Sequence, residues 1–166
     1  MTLKAFVSGR MIPVMAIVAA VLAAAVTAAA NIGVVSKVLG GDLVQFGDTF
    51  RARLTGIRVP QRNEPLGYEI YDFTKRQLEG QTVRLVTWTT DNTAAGIVYD
   101  EEGYARVQIF CGRISGEKGS GVSFNEVMLK KGYARVDPRY LPNDLKHYYA
   151  LEKEARENGL GIWKGR

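Results

Sequence analysis

One cysteine, Cys111, and one histidine, His147, are all that these 166 residues offer of the side chains that most often serve as nucleophile, base or transition-metal ligand. A lone cysteine cannot close an intrachain disulfide or build a thiolate-rich metal site. His147 falls in a charged stretch, Asp144 to Asn158, where Leu145, Tyr148, Leu151 and Ala155 share one helical face. That spacing assigns it to a helix surface rather than to metal ligation. No glycine-rich phosphate loop is present, and no cofactor is expected. The chemistry left open belongs to carboxylates, which bind hard cations or accept protons, and to arginines, which fork onto phosphate oxygens. Net charge does not choose among partners. Of 22 basic residues, Lys4 and Arg10 precede the globular part, leaving 20 basic against 17 acidic, too mild an excess to argue nucleic-acid binding.

The elements that must position such groups can be read from period and punctuation. Val34 to Leu39, Leu43 to Phe46 and Thr49 to Ile57 read as β-branched strands, with Gly47-Asp48 as the turn between the last two. From Tyr68 to Glu79, Ile70, Phe73, Thr74 and Leu78 fall on one side at helical spacing, and Gly80 stops the helix. Thr82 to Thr89 and Gly96 to Asp100 look extended, and Tyr104 to Cys111 completes a hairpin through Asp100 to Gly103. A glycine-rich segment, Gly112 to Gly121, precedes a helix from Ser123 to Lys131 and the charged helix that carries His147. Strands, a helix, more strands and two helices predict a small barrel rather than a parallel sheet.

The first thirty residues are of another kind. Met11 to Ala30 carry no charge, and the two basic residues before them are arranged as in an amino terminus left in the cytoplasm. The chain beyond Ala30 is expected on the outer side of the plasma membrane. Residues 1–32 read as a signal peptide or a transmembrane signal anchor. Ala28-Ala29-Ala30 and the many alanines suit cleavage, whereas twenty uncharged residues suffice for a spanning helix. Residues 33–166 form the folded domain.

Several segments of that domain resemble, in order, the staphylococcal nuclease (thermonuclease) family. Val38-Leu39-Gly40-Gly41-Asp42-Leu43-Val44 is similar to V-x-D-G-D-T-hydrophobic, and Arg53-Leu54-Thr55-Gly56-Ile57-Arg58-Val59-Pro60-Gln61 to R-L-x-G-I-D-x-P-E. Asp100-Glu101-Glu102-Gly103-Tyr104 resembles D-x-Y-G-R, and Asn125 to Ala134 resembles V-N-E-x-L-V-x-x-G-x-A. Glu152, Ala155, Arg156, Gly159 and Leu160 to Trp163 fit the closing E-x-x-A-x-x-x-x-G-x-W. The resemblance implies an α+β, mainly β fold: a five-stranded OB-fold barrel with about three helices, preceded here by the hydrophobic N-terminal helix. Gly47-Asp48-Thr49-Phe50 also spells the first motif, but only three residues separate Thr49 from Arg53. Asp42 leaves room for a hairpin, so the motif's carboxylate is assigned to it.

The resemblance further implies a site for calcium-dependent phosphodiester cleavage, and the positions can be compared one at a time. Asp42 keeps one metal carboxylate, while Arg58 occupies the second ligand position, where it is expected to pair with Asp42 and repel calcium. Gln61 stands at the general-base position, and an amide has no useful basicity. Arg53 retains one phosphate clamp; the second position is Tyr104. Arg106, two residues along the same strand, is a possible substitute, and Glu64 is a carboxylate three residues beyond Gln61. Ligand, base and clamp are lost together. The expectation is a pseudoenzyme-like binding or assembly module, an accessory subunit of a membrane complex, with a protein partner in or at the membrane. That partner is sought at the glycine-rich loop or at Tyr140, Tyr148 and Tyr149; single-stranded nucleic acid is the other candidate. The alternative is an active metal-dependent nuclease built on Asp42, Arg53, Arg106 and Glu64, which would take Ca2+ only through a rearranged site.

Overall fold

Runs of β-branched residues broken by glycine give short strands that must curl to bury their apolar face. The computed structural model describes residues 32–87, 97–112, 121–140 and 145–165. The uncharged segment Met11–Ala30 and most of the Gly112–Gly121 loop lie outside the described residues. Among the described residues, no helix is long and apolar enough to cross a membrane.

Strands β1 (Ile32–Val38), β2 (Leu43–Phe46) and β3 (Phe50–Leu54) form an antiparallel meander. β1 then pairs with β5 (Thr82–Thr87), and β5 with β6 (Ala105–Cys111). A parallel pairing of β3 with β6, Ala52 opposite Ala105 through Leu54 opposite Val107, closes the five strands into a barrel. The β1–β2 ladder shifts register between Val35 and Lys37, the kind of irregularity that bends a strand. Gly47, at φ +57°, turns β2 into β3, so Asp48 sits at an exposed hairpin tip and Asp42 at the β1–β2 turn.

The run Thr49 to Ile57 is two elements, not one. Gly56 adopts φ +73°, which a side chain would resist, and the chain leaves the barrel to form β4 (Ile57–Arg58). β4 pairs with β8 (Arg135–Val136) in a separate two-stranded ladder. β7 (Val122–Ser123) adds to the outer edge of β6.

Helix α1 (Gly67–Leu78) buries Ile70, Phe73 and Leu78. At its end Glu79 reaches back to accept the Val38 amide at 3.0 Å, meeting a donor on the bulged strand. Its start requires glycine: a Cβ on Gly67 would stand 1.7 Å from the Gln61 carbonyl oxygen. Helix α2 (Phe124–Lys130) begins on Ser123, whose hydroxyl accepts from the Glu126 amide. It contributes Phe124, Val127, Met128 and Leu129 to the core, and Phe124 stacks on Phe73 at 6.0 Å. Helix α3 (Leu145–Glu157) turns Tyr148, Leu151 and Ala155 inward. Two 3₁₀ turns, Pro138–Tyr140 and Gly161–Trp163, complete the chain.

Asn125 joins these layers. Its Oδ1 accepts from the Ile109 amide at 3.1 Å, and its Nδ2 donates to the carbonyls of Thr55 at 2.8 Å and Val107 at 3.3 Å. This fully buried amide pins α2 across the seam of the barrel.

Candidate functional site

Two arginines meet where the barrel closes. The β3–β6 register sets Arg53 beside Arg106, and in-register neighbours project from one face. Adjacent cations repel, so anions must join them, and the turn before β6 supplies these. Arg53 Nη1 donates to Asp100 Oδ2 at 3.1 Å and Nη2 to Glu102 Oε2 at 2.7 Å. Arg106 Nε lies 3.5 Å from the same Asp100 Oδ2, and its Nη1 donates to the Leu54 carbonyl at 3.1 Å. The other Asp100 oxygen accepts the amides of Glu102 and Tyr104, so this buried carboxylate is held from both sides. Aromatic faces cover the cations: the Arg53 guanidinium is 4.9 Å from the Tyr104 ring and that of Arg106 4.0 Å from the Tyr140 ring.

Asp42 joins the group from the β1–β2 turn, where its carbonyl accepts the Leu54 amide at 2.8 Å. Burial pushes its carboxyl above the ordinary 3.8, against the attraction of Arg53 and Arg106. The hydrogen bond from Arg53 holds exposed Glu102 below its usual range. Two carboxylates, Asp100 and Glu102, thus engage the two guanidinium groups, and Nε of both arginines is buried without a hydrogen-bond acceptor among the described residues.

The other residues expected at the site lie elsewhere or are engaged differently. Arg58 is exposed on β4 and does not form the expected ion pair with Asp42; the cations that act on Asp42 are Arg53 and Arg106. The Gly56 turn is the reason, since it carries Arg58 out of the barrel and opposite Arg135. Gln61 is exposed in a closed loop: its amide donates to Glu64 Oε2 at 2.6 Å, and its carbonyl accepts the Glu64 amide at 2.9 Å. Neither Gln61 nor Glu64 hydrogen-bonds to Asp42, Arg53 or Arg106. Tyr148, one of the tyrosines at which a partner was sought, is buried with its hydroxyl 3.3 Å from Gln108 Nε2, whereas Tyr149 is exposed. His147 lies on the α3 surface, 3.3 Å from Glu126 Oε2.

Arg53 and Arg106, both singled out in the sequence, lie in this cluster with Asp42 in their field, whereas Asp100 and Glu102 were given no role there. Their signal was present: three carboxylates, Asp100, Glu101 and Glu102, in a four-residue turn, with an arginine in the next strand, are poised to pair across the seam.

Residues 51–165 match the family model described as staphylococcal nuclease homologue. The chain belongs to the staphylococcal nuclease family. It is 32% identical over 158 residues to the uncharacterized protein MJ1439 of Methanocaldococcus jannaschii, covering 79% of this chain and 70% of that protein. It is also 32% identical over 117 residues to the staphylococcal-like nuclease CAN1 of Arabidopsis thaliana, covering 69% of this chain but 29% of CAN1.

A staphylococcal nuclease domain that takes calcium must offer clustered oxygen donors at about 2.3–2.6 Å from the ion. The residues of this one do not fit. Asp42 is desolvated and lies in the field of two arginines, and Asp100 is saturated by hydrogen bonds. Among the described residues, no three His, Cys, Asp or Glu side chains are grouped to hold a metal.

Proposed function

We propose that this nuclease-like domain acts as a binding module rather than as a metal-dependent phosphodiesterase. The observation that carries the reading is the capture of Arg53 by Asp100 and Glu102 at 3.1 and 2.7 Å. A phosphate clamp stabilises charge only if its fork is available as that charge develops. Here the fork is occupied by carboxylates of the same chain, and the general-base position carries an amide. Losing one transition-state donor costs roughly 10²–10³ in rate, and clamp, base and metal carboxylate are all altered. The uncharged segment after Lys4 and Arg10 supports a module held at or exported through the plasma membrane, on its outer side, with a protein partner in or at that membrane.

The opposing reading is an active nuclease with a rearranged site. It draws on Arg106 standing in register with Arg53, on the Glu64 carboxylate lying 2.6 Å from the Gln61 amide, and on the name of the Arabidopsis relative. One assay decides between them. The purified full chain is incubated with denatured DNA and calcium, magnesium or manganese. No cleavage is expected, and calcium should leave the melting temperature unchanged, because an ion without a native site cannot stabilise the native state. Metal-dependent cleavage abolished by Arg53→Ala would overturn the binding-module reading.

A further inference from the structure

A cleft of about 1370 Å3 opens on the β4–β8 ladder, between the loop before α1, the end of α2 and the Gly161–Trp163 turn. Its lining includes six cationic side chains: Arg58, Lys130, Lys131, Arg135, Arg139 and Lys164. The three carboxylates along it are already engaged. Glu64 accepts the Gln61 amide, Glu69 the Tyr133 hydroxyl at 3.3 Å, and Asp137 two guanidinium bonds from Arg139.

Arg58 and Arg135 stand directly opposite one another in the ladder, both exposed. Like charges at a facing cross-strand pair destabilise a sheet, and here no carboxylate among the described residues pairs with either. Arg135 is further positioned by its contact with the Trp163 ring, 5.0 Å from the guanidinium to the centroid. A repulsive pair kept rigid and open to solvent is complementary to an anion that bridges it.

The rest of the lining narrows the class of ligand. Val59, Pro60, Leu66, Val136, Leu160 and Ile162 give the cleft an apolar component that a bare phosphate backbone would not use. Tyr133, the aromatic residue of that lining, is bonded to Glu69 and packed edge-on against Phe73 at 5.2 Å, so it is no free platform for stacking bases. We infer that this cleft binds an extended peptide segment of a protein partner, with carboxylates bridging Arg58 and Arg135 and apolar side chains seated beside them. The inference rests on the binding-module reading and names its partner's chemistry.

Fluorescence anisotropy tests it on the full chain, using fluorescein-labelled decapeptides in which glutamate and leucine alternate. The controls are the same peptides with glutamine for glutamate, and labelled oligothymidine. Saturable binding of the glutamate peptide is expected, weakened roughly tenfold or more by the Arg58→Gln, Arg135→Gln double variant, because each charge-assisted bond is lost. Both positions are exposed, so the variant should melt at or above the unaltered protein, relieved of the cross-strand repulsion. Absence of saturable peptide binding, binding indifferent to the double variant, or oligothymidine preferred through the same two arginines would each overturn the inference. Metal-dependent DNA cleavage sinks the binding-module reading instead. Failed peptide binding without cleavage sinks only this inference.

Discussion

Asp42 is a carboxylate held where burial opposes its charge. Its carboxyl is raised by burial more than Arg53 and Arg106 lower it, so the folded state holds a proton more tightly than the unfolded chain does. From the ordinary 3.8 up to the folded value the native state therefore binds more protons, and stability falls as pH rises through that window. Asp42→Asn removes the titration. Urea melts across that range should show a flatter dependence for the variant and no loss of stability at neutral pH. A clear loss at neutral pH would mean that attraction to the arginines outweighs desolvation. Glu102 has the opposite sign: its lowered carboxyl contributes stability that is lost on acidification. At this scale the sequence was legible where residues lie close along the chain, as Tyr104 and Arg106 do at the start of β6. It was not legible for Arg58, whose surroundings depend on a ladder formed with a strand far along the chain.

Strands and helices were read more completely than their joints. Periodicity found α1 and α3 to within two residues, because each has one apolar face against the core. The two-residue strands β4, β7 and β8 were missed, since pairs of residues show no period. Buried hydrogen bonding fixes the seam beside these joints, and Asn125 contributes three such bonds. Replacing it with alanine strands the Ile109 amide and the Thr55 carbonyl in the interior, while the Val107 carbonyl keeps the Thr55 amide. The expected cost is about 3 kcal/mol, read as a melting temperature lower by roughly 10 °C in calorimetry. A shift of a degree or two would show that water takes over the bonds.

For the whole molecule, the barrel interior isolates one group that would otherwise react. Cys111 lies on the inward-facing side of β6, and burial pushes its thiol up to about 11 from 9.0. The thiol therefore stays protonated through the neutral range, and its burial opposes ionisation until the pH climbs past 9.0 towards the folded value. Maleimide at neutral pH should leave native protein unmodified and label it fully in urea; rapid native labelling would mean that β6 opens locally. The closure of this barrel also has a temporal consequence. Leu54 and Arg106, bonded across the β3–β6 seam, stand 52 residues apart in the chain. Contacts at such separation form late, after much chain entropy has been lost. A chain leaving the ribosome can assemble the β1–β3 meander early, yet it cannot finish the barrel until β6 has emerged. Through that interval Arg53 has none of its carboxylate partners, and it meets Asp100 and Glu102 only once the turn before β6 has been made.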